Sequence, residues 1–340
     1  MIEIVSPGPQ TTVQDGGRRG YLRYGVSPSG AMDAFALALA NILVGNARDE
    51  GALEATLVTP HIRFLDDTLF AATGGRCALS LDGAAVPMDA AVLARAGQTL
   101  AAAPVARGCR TYLAFAGGLG LEKMLGSVSC DKKAGLGGLG RGEKFVRGDC
   151  IPNAMPGEAR AFAGRRLPEG MGDYLPQGSA ALRVLPGPQP DALGNAGDEA
   201  FFSSEYTVLP ESDRMGVRFS GAPLAFAPGR DGNIITDAVA SGAIQITGAG
   251  LPILMMADAQ TTGGYAKPFW LIAADLPLAA QLRPGDKARF IRCSMGEARA
   301  ALLSRERALS RLEESWRARH FCVAVAGERY EISVTEVFPA

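Results

Sequence analysis

"PGPQ" stands at residues 7 to 10 and again at 186 to 189, and the residues downstream of each copy decide the fold. They include "GALE" at 51 to 54 and "GAIQ" at 242 to 245, "TGG" at 73 to 75 and at 262 to 264, and "RAGQ" at 95 to 98 and "RPGD" at 283 to 286. The order is the same in both halves, and the offsets are 179, 191, 189 and 188 residues. Collinear echoes at a nearly constant offset imply one folding unit of about a hundred residues present twice, a pseudo-symmetric pair and not a solenoid.

The signals inside each unit are mostly β. With Gly 43 and Pro 21 in 340 residues, the chain suits short strands joined by turns. "ALSLDGAAVPM" at 78 to 88 sets Asp82-Gly83 between apolar runs, a tight hairpin signal, and "RTYLAFAGG" and "KARFIRC" read as strands. One helix is clear in "SPSGAMDAFALALANILVGN" at 27 to 46. Ser29 is its expected cap, Asp33 lies in the first turn, Phe35, Leu39, Ile42 and Leu43 share a face, and Gly45 stops it. The expected organisation is a first β domain over 1–150, a Pro/Gly-rich linker over 151–180, a second β domain over 181–292, and a tail over 293–340. In that tail Ser294 and Glu297 form a capping box opening a helix to about Arg317, and "FCVAVAGERYEISVTEV" closes as a hairpin.

Bulk charge excludes some functions. Lys+Arg 34 against Asp+Glu 35 leaves no footprint for a nucleic acid, and no apolar run is long enough for a bilayer. Six scattered cysteines without C-x-x-C read as reduced thiols, and the N-terminus lacks the features of an export signal, so a cytoplasmic protein is expected. Only His61 and His320 exist, which rules out a His-rich metal site; no metal is expected, and neither histidine lies beside a nucleophile motif. "GLGGLGRG" at 135 to 142 contains G-x-G-x-x-G, but "EKFVRGD" after it reads as a strand where a dinucleotide fold needs a helix. "AGGLGLEK" at 116 to 123 is either a Gly-rich strand exit or an anion cradle with Lys123 nearby.

The richest polar stretch is "DAQTTGGYAKP" at 258 to 268, straight after the apolar run "LPILMMA". In an extended chain Asp258, Gln260 and Thr262 would point one way and Thr261 and Tyr265 the other, while Gly263 and Gly264 admit a ligand close to the backbone. A carboxylate, an amide, hydroxyls and open N–H groups suit a planar amide or urea-like ligand and the oxyanion formed on attack at its carbonyl. The expected catalytic set is therefore Asp258, Gln260, Tyr265 and Lys267. Substrate contacts are expected from Thr261, Thr262, Gly263 and Gly264, and from Gln245 at the end of "GAIQ". Arg214 of "ESDRMGVRF" could grip a carboxylate or merely pair with an aspartate on the surface. The loop "TTVQDGGRRGYLRYGVSPSGAMD" clusters Gln14, Asp15, Arg18, Ser29 and Asp33, of which Asp15 and Arg18 join the expected binding set.

That loop with the helix after it, "YLAFAGG", "LGS", "PGPQ", "SDRMGVRFSG", "GAIQITGAGLPILMMADAQTTGGYAKP" and "AAQLRPGDKARF" together resemble, in order, the allophanate hydrolase subunit 2 family, to about residue 292. The resemblance implies two tandem cyclophilin-like β-barrels and a partner, a homologue of the family's subunit 1, the B-type component of 5-oxoprolinase. It implies two chemistries. In one, with a further A-type component, ATP-dependent cleavage converts 5-oxoproline to glutamate; in the other, a carboxyl group moves from carboxybiotin to a urea-type nitrogen. A third implied role is non-catalytic regulation by binding a kinase inhibitor. Ala266 stands where the family usually has Pro, and Cys130 where it has Thr, changes that touch geometry and not charge. Without a Met-Lys-Met motif no cofactor is covalently held; biotin would arrive on another protein, and ATP at the level of the complex.

Overall fold

A computed structural model describes residues 1–140, 142–316, 319–325 and 328–334. The chain is mainly β with a few helices, and its strands fall into two successive units. In the first, Cys150–Ile151, Ile2–Ser6, His61–Phe64, Thr99–Ala102, Leu79–Leu81 and Ala84–Val86 make one sheet in that order. Thr11–Gln14, Ala52–Thr56, Arg107–Phe115, Thr68–Arg76 and Ala91–Ala94 make the other. Ile4, Phe64, Phe70, Leu100 and Phe115 belong to the core of this unit, where the Phe64 and Phe70 rings stack at 5.3 Å. The Asp82-Gly83 hairpin forms as expected, with both residues at positive φ (49° and 85°), the geometry whose twist suits adjoining strands.

The second unit closes. Ser179–Pro186, Phe269–Leu271, Ala243–Ile246, Pro252–Met255, Gly216–Ser220, Tyr206–Val208 and Lys287–Arg292 form a seven-stranded barrel, sealed by parallel pairing of Lys287–Arg292 with Ser179–Pro186. The helix Asn195–Ser203 drops Phe201 onto Phe269 and Phe290, with centroids 4.1 and 4.5 Å away. Outside the barrel, Asn233–Ala238 and Thr262–Tyr265 pair as a two-stranded ribbon.

The echoes in sequence have local causes. Each "PGPQ" follows or ends the first strand of its unit, where another backbone crosses closely. A Cβ on Gly187 would lie 2.2 Å from the Lys267 carbonyl oxygen, so only glycine fits there, and Gln189 Oε1 accepts from the Lys267 N–H at 2.9 Å. "TGG" does not keep its place: residues 73 to 75 lie in a sheet of the first unit, while 262 to 264 lie in the ribbon.

Two local expectations, the helix cap and a strand after residue 142, are corrected. The helix Ala34–Leu43 is capped by Asp33, which accepts from the Ala36 N–H at 2.9 Å; Ser29 sits earlier, buried, with φ 53°. Residues 143 to 149 form no strand, because Phe145 makes only one backbone bond to Thr11 before the chain turns. The segment after 151 is irregular apart from the short 3-10 helix Gly157–Phe162, yet it packs: the Tyr174 hydroxyl donates to Asp33. The capping box at Ser294 and Glu297 opens the 21-residue helix Met295–Ser315, which buries Leu309 and Leu312 against the first unit and meets Arg48 through Glu313. The closing strands Arg319–Val325 and Glu328–Val334 pair antiparallel; the turn between them lies outside the described residues. No helix among the described residues is long and apolar enough to cross a membrane.

Candidate functional site

The barrel strand Pro252–Met255 does not run on in extended form. Asp258 N–H donates to the Arg214 carbonyl at 2.9 Å and Ala259 N–H to that of Met256 at 3.1 Å, so the chain turns at 257 and 258 and becomes a strand again only at Thr262. Asp258 and Gln260 consequently face different spaces, contrary to the alternation expected for an extended segment. Asp258 opens into a cavity of about 410 Å³ between the two units, whereas Gln260 lines a pocket of about 280 Å³ at the barrel mouth.

One guanidinium organises the seam. Arg214 donates twice to Asp258, at 2.8 Å each, to Glu54 Oε1 at 2.5 Å and to the Gly30 carbonyl at 2.7 Å. It therefore grips a carboxylate in bidentate fashion, but that of Asp258 of its own chain. Glu54 closes the first copy's "GALE" and also accepts from the Tyr112 hydroxyl at 2.6 Å and the Met32 N–H at 2.9 Å. Burial works to raise the Glu54 carboxyl, but Arg214 and Arg110 outweigh it and hold it below the ordinary range. Burial likewise works to lower Arg214, and the carboxylates of Asp258 and Glu54 overcome this, raising it above the ordinary value.

The intervening cavity is walled by Thr12 and Gln14 of one strand, by Cys130 and by the Gly-rich turn at Gly142, with Arg214 and Asp258 also in its lining and the exposed Lys132, Glu143 and Lys144 among its outer residues. The Gln14 Nε2 donates to Thr12 Oγ1 at 3.0 Å and to the Cys130 carbonyl at 3.3 Å, which fixes the amide's orientation and leaves its buried Oε1 without a partner. Burial pushes the Cys130 thiol up to about 11, so it is neutral and inert at physiological pH. Thr12 was missed, and Gln14 was named in the polar loop but not in the binding set, although the signal was present, since positions i and i+2 of the strand "TTVQ" share a face.

The barrel-mouth pocket gathers Gln245, Gln260 and Tyr265. Gln260 Nε2 donates to Gln245 Oε1 at 3.3 Å, while Gln245 Nε2, on a buried side chain, has no partner. Gly263 makes room for this amide, since a Cβ there would lie 2.5 Å from Gln245 Nε2. Thr261 is half-buried and its carbonyl accepts from Val239, Thr262 is exposed, and a Cβ on Gly264 would meet nothing closer than 3.7 Å.

Other expected residues lie elsewhere. Lys267 lines neither space; its side chain is fully buried, with Nζ 3.6 Å from Asp237 Oδ2 and in no hydrogen bond. Asp15 accepts from the hydroxyls of Ser127 and Ser129 and from the N–H groups of Gly17 and Val128, bonds that build its loop. Arg18 donates to the carbonyls of Met124 and Ser129, and burial pulls its pKa below the ordinary guanidinium value. Among the described residues no three His, Cys, Asp or Glu side chains converge as a metal site.

Comparison with known proteins places these features in context. The pattern of the carboxyltransferase domain, subdomains A and B, matches residues 24–292. The C-type subunit of 5-oxoprolinase from Escherichia coli is 37% identical over 317 residues, covering 93% of this chain and 98% of that protein. Urea amidolyase of Saccharomyces cerevisiae is 34% identical over 327 residues, 92% of this chain but 18% of that protein. Among solved structures, urea carboxylase of Kluyveromyces lactis superposes with a TM-score of 0.85 at 30% identity, over 92% of this chain and 29% of that one. The homologues are thus enzymes or parts of enzymes, and this chain spans only a minor part of the fungal ones.

Proposed function

The chain belongs to the carboxyltransferase-domain family, and on that footing we propose that it serves as the C-type subunit of an ATP-dependent 5-oxoprolinase, holding the cyclic amide in the cavity between its two units. The observation that carries this reading is the pair of acceptors in that cavity: Gln14 Oε1 suits the amide N–H, and the Asp258 carboxylate suits a proton of the attacking water. Each Asp258 oxygen accepts one bond from Arg214 and keeps lone-pair capacity for a ligand, and the two-point grip fixes its orientation. Lys132 and Lys144 attract the substrate carboxylate. Ring opening adds water across the C–N bond, oxygen to carbon and proton to nitrogen; ATP enters with an A-type homologue. The exposed ribbon, with Ile235 at 95% exposure and Tyr265 at 39%, is the surface this reading gives to the B-type homologue. The complex is cytoplasmic on this reading.

The test is co-expression with the A-type and B-type homologues and measurement of ATP hydrolysis dependent on 5-oxoproline. Asp258→Asn should lower kcat/KM roughly ten- to a hundredfold, as expected for loss of a hydrogen bond to a charged group. Unchanged kinetics in a folded variant would remove Asp258 from the site. A second reading, carboxyl transfer from a biotin carried on another protein to urea, is favoured by the superposition on urea carboxylase. It predicts urea-dependent consumption of carboxybiotin and no activity on 5-oxoproline.

A further inference from the structure

The cavity between the units offers more than acceptors. Thr12 and Gln14 protrude from the same face of the strand Thr11–Gln14, and both line the cavity. Gln14 Nε2 must point toward the Cys130 carbonyl, which can only accept, so Oε1 is the atom left open. Thr12 Oγ1 accepts from that same Nε2 and keeps its own proton to give. A fixed acceptor and a free donor thus sit side by side, bridged by one 3.0 Å hydrogen bond.

Resting on the reading of this cavity as the amide site, we infer that Thr12 and Gln14 are specificity-determining residues that recognise the syn edge of an amide. Gln14 Oε1 accepts the ligand N–H and the Thr12 hydroxyl donates to the neighbouring C=O. Lactams, cyclic ureas and primary amides carry N–H and C=O on one edge. Trans peptide bonds and N-substituted lactams do not, and they leave the buried Gln14 oxygen unpaired, which is the arrangement that discriminates most strongly. The two lysines at the rim add preference for an anionic tail, tempered by Glu143 between them in sequence.

The test needs no variant at first. The full chain, with its partner proteins if they co-purify, is titrated calorimetrically with 2-pyrrolidinone, N-methyl-2-pyrrolidinone and 5-oxoproline. The expected order is 5-oxoproline tightest, 2-pyrrolidinone weaker, and the N-methyl compound at least about tenfold weaker than its parent, the size expected for one unpaired buried acceptor. Thr12→Val, close in shape and lacking only the hydroxyl, should weaken the two N–H lactams several-fold while leaving the thermal melting of the chain in place. Gln14→Leu should abolish the difference between the N-methyl compound and its parent. Equal binding of the N-methyl compound and its parent, or unchanged lactam affinity in Thr12→Val, overturns the inference. The functional reading fails separately: discrimination between the lactams without any 5-oxoproline-dependent ATP hydrolysis in the complex would keep the edge reader and dismiss the oxoprolinase assignment. Turnover of 5-oxoproline with kinetics untouched by both variants would do the reverse.

Discussion

Replacing Arg214 by Met removes the group that ties the two units together at the cavity floor. Four hydrogen bonds are lost, two to Asp258 and one each to Glu54 and the Gly30 carbonyl. Breaking a buried ion pair from one side costs about 3–5 kcal/mol, chiefly because a charge stays behind in a dry place. Here the two partners differ. The Asp258 side chain is 19% exposed and can rehydrate, whereas that of Glu54 is 1% exposed and cannot, so a value in the lower half of that range is expected. The pH dependence comes from Glu54. In the parent its carboxyl lies below the ordinary value near 4.5, so it contributes stability that is present above that pH and is lost as pH falls through the depressed folded value. Without Arg214 burial gains weight, and an ionised Glu54 becomes a penalty that fades as it protonates. The stability gap between parent and Arg214→Met, measured by urea unfolding, should therefore be widest near pH 7 and narrow toward pH 4. The double variant Glu54→Gln with Arg214→Met should recover part of the loss at pH 7. A gap that stays constant from pH 7 to pH 4, or a double variant no better than the single one, would refute this account of the seam.

Gly263→Ala forces a methyl group to within 2.5 Å of the Gln245 amide, so the Gln245–Gln260 pair must separate; a crystal structure of the variant should show Gln245 displaced from the barrel-mouth pocket. Phe201→Ala empties the centre of the aromatic stack and should destabilise the chain by about 3–5 kcal/mol in urea unfolding. Among the described thiols, Cys150 is exposed and should alkylate first with iodoacetamide at pH 8, while Cys130, buried and titrating at about 11, should stay unmodified until the chain unfolds, as mass spectrometry of tryptic peptides would reveal.

The range of each interaction decides how far the sequence betrays it. Asp82-Gly83, the capping box at Ser294 and the stop at Gly45 are local: a few adjacent residues and their backbone angles suffice, and all three appear in the structure. The "PGPQ" echo was legible because a close backbone crossing demands glycine, as at Gly187. The site was legible only in part. The polar stretch at 258 to 265 does border two spaces, but its shape depends on bonds to residues 214 and 215, more than forty positions away in sequence. Assuming an extended chain therefore put Asp258 and Gln260 together when a turn parts them. Lys267 joined the expected catalytic set as the cation of the polar stretch, yet its side chain is fully buried, and "PGPQ" passes closely across its backbone.

The two copies of the repeat also explain why the open cavity lies where it does. Glu54 and Gln245 end corresponding tetrapeptides, "GALE" and "GAIQ", and each lies on a buried strand. An acid in the first copy needs a cation, and Arg214 reaches it from the second unit, so the charge at this position fastens the units to each other. A neutral amide in the second copy needs no such partner and stays with a free donor at the barrel mouth. Fastening one side of the turn at 257 and 258 holds Asp258 rigidly toward the seam, and the first unit's strand Thr11–Gln14 then faces it across the cavity. A single unit could not build this space: its acceptors come from both units, Gln14 from one and Asp258 from the other.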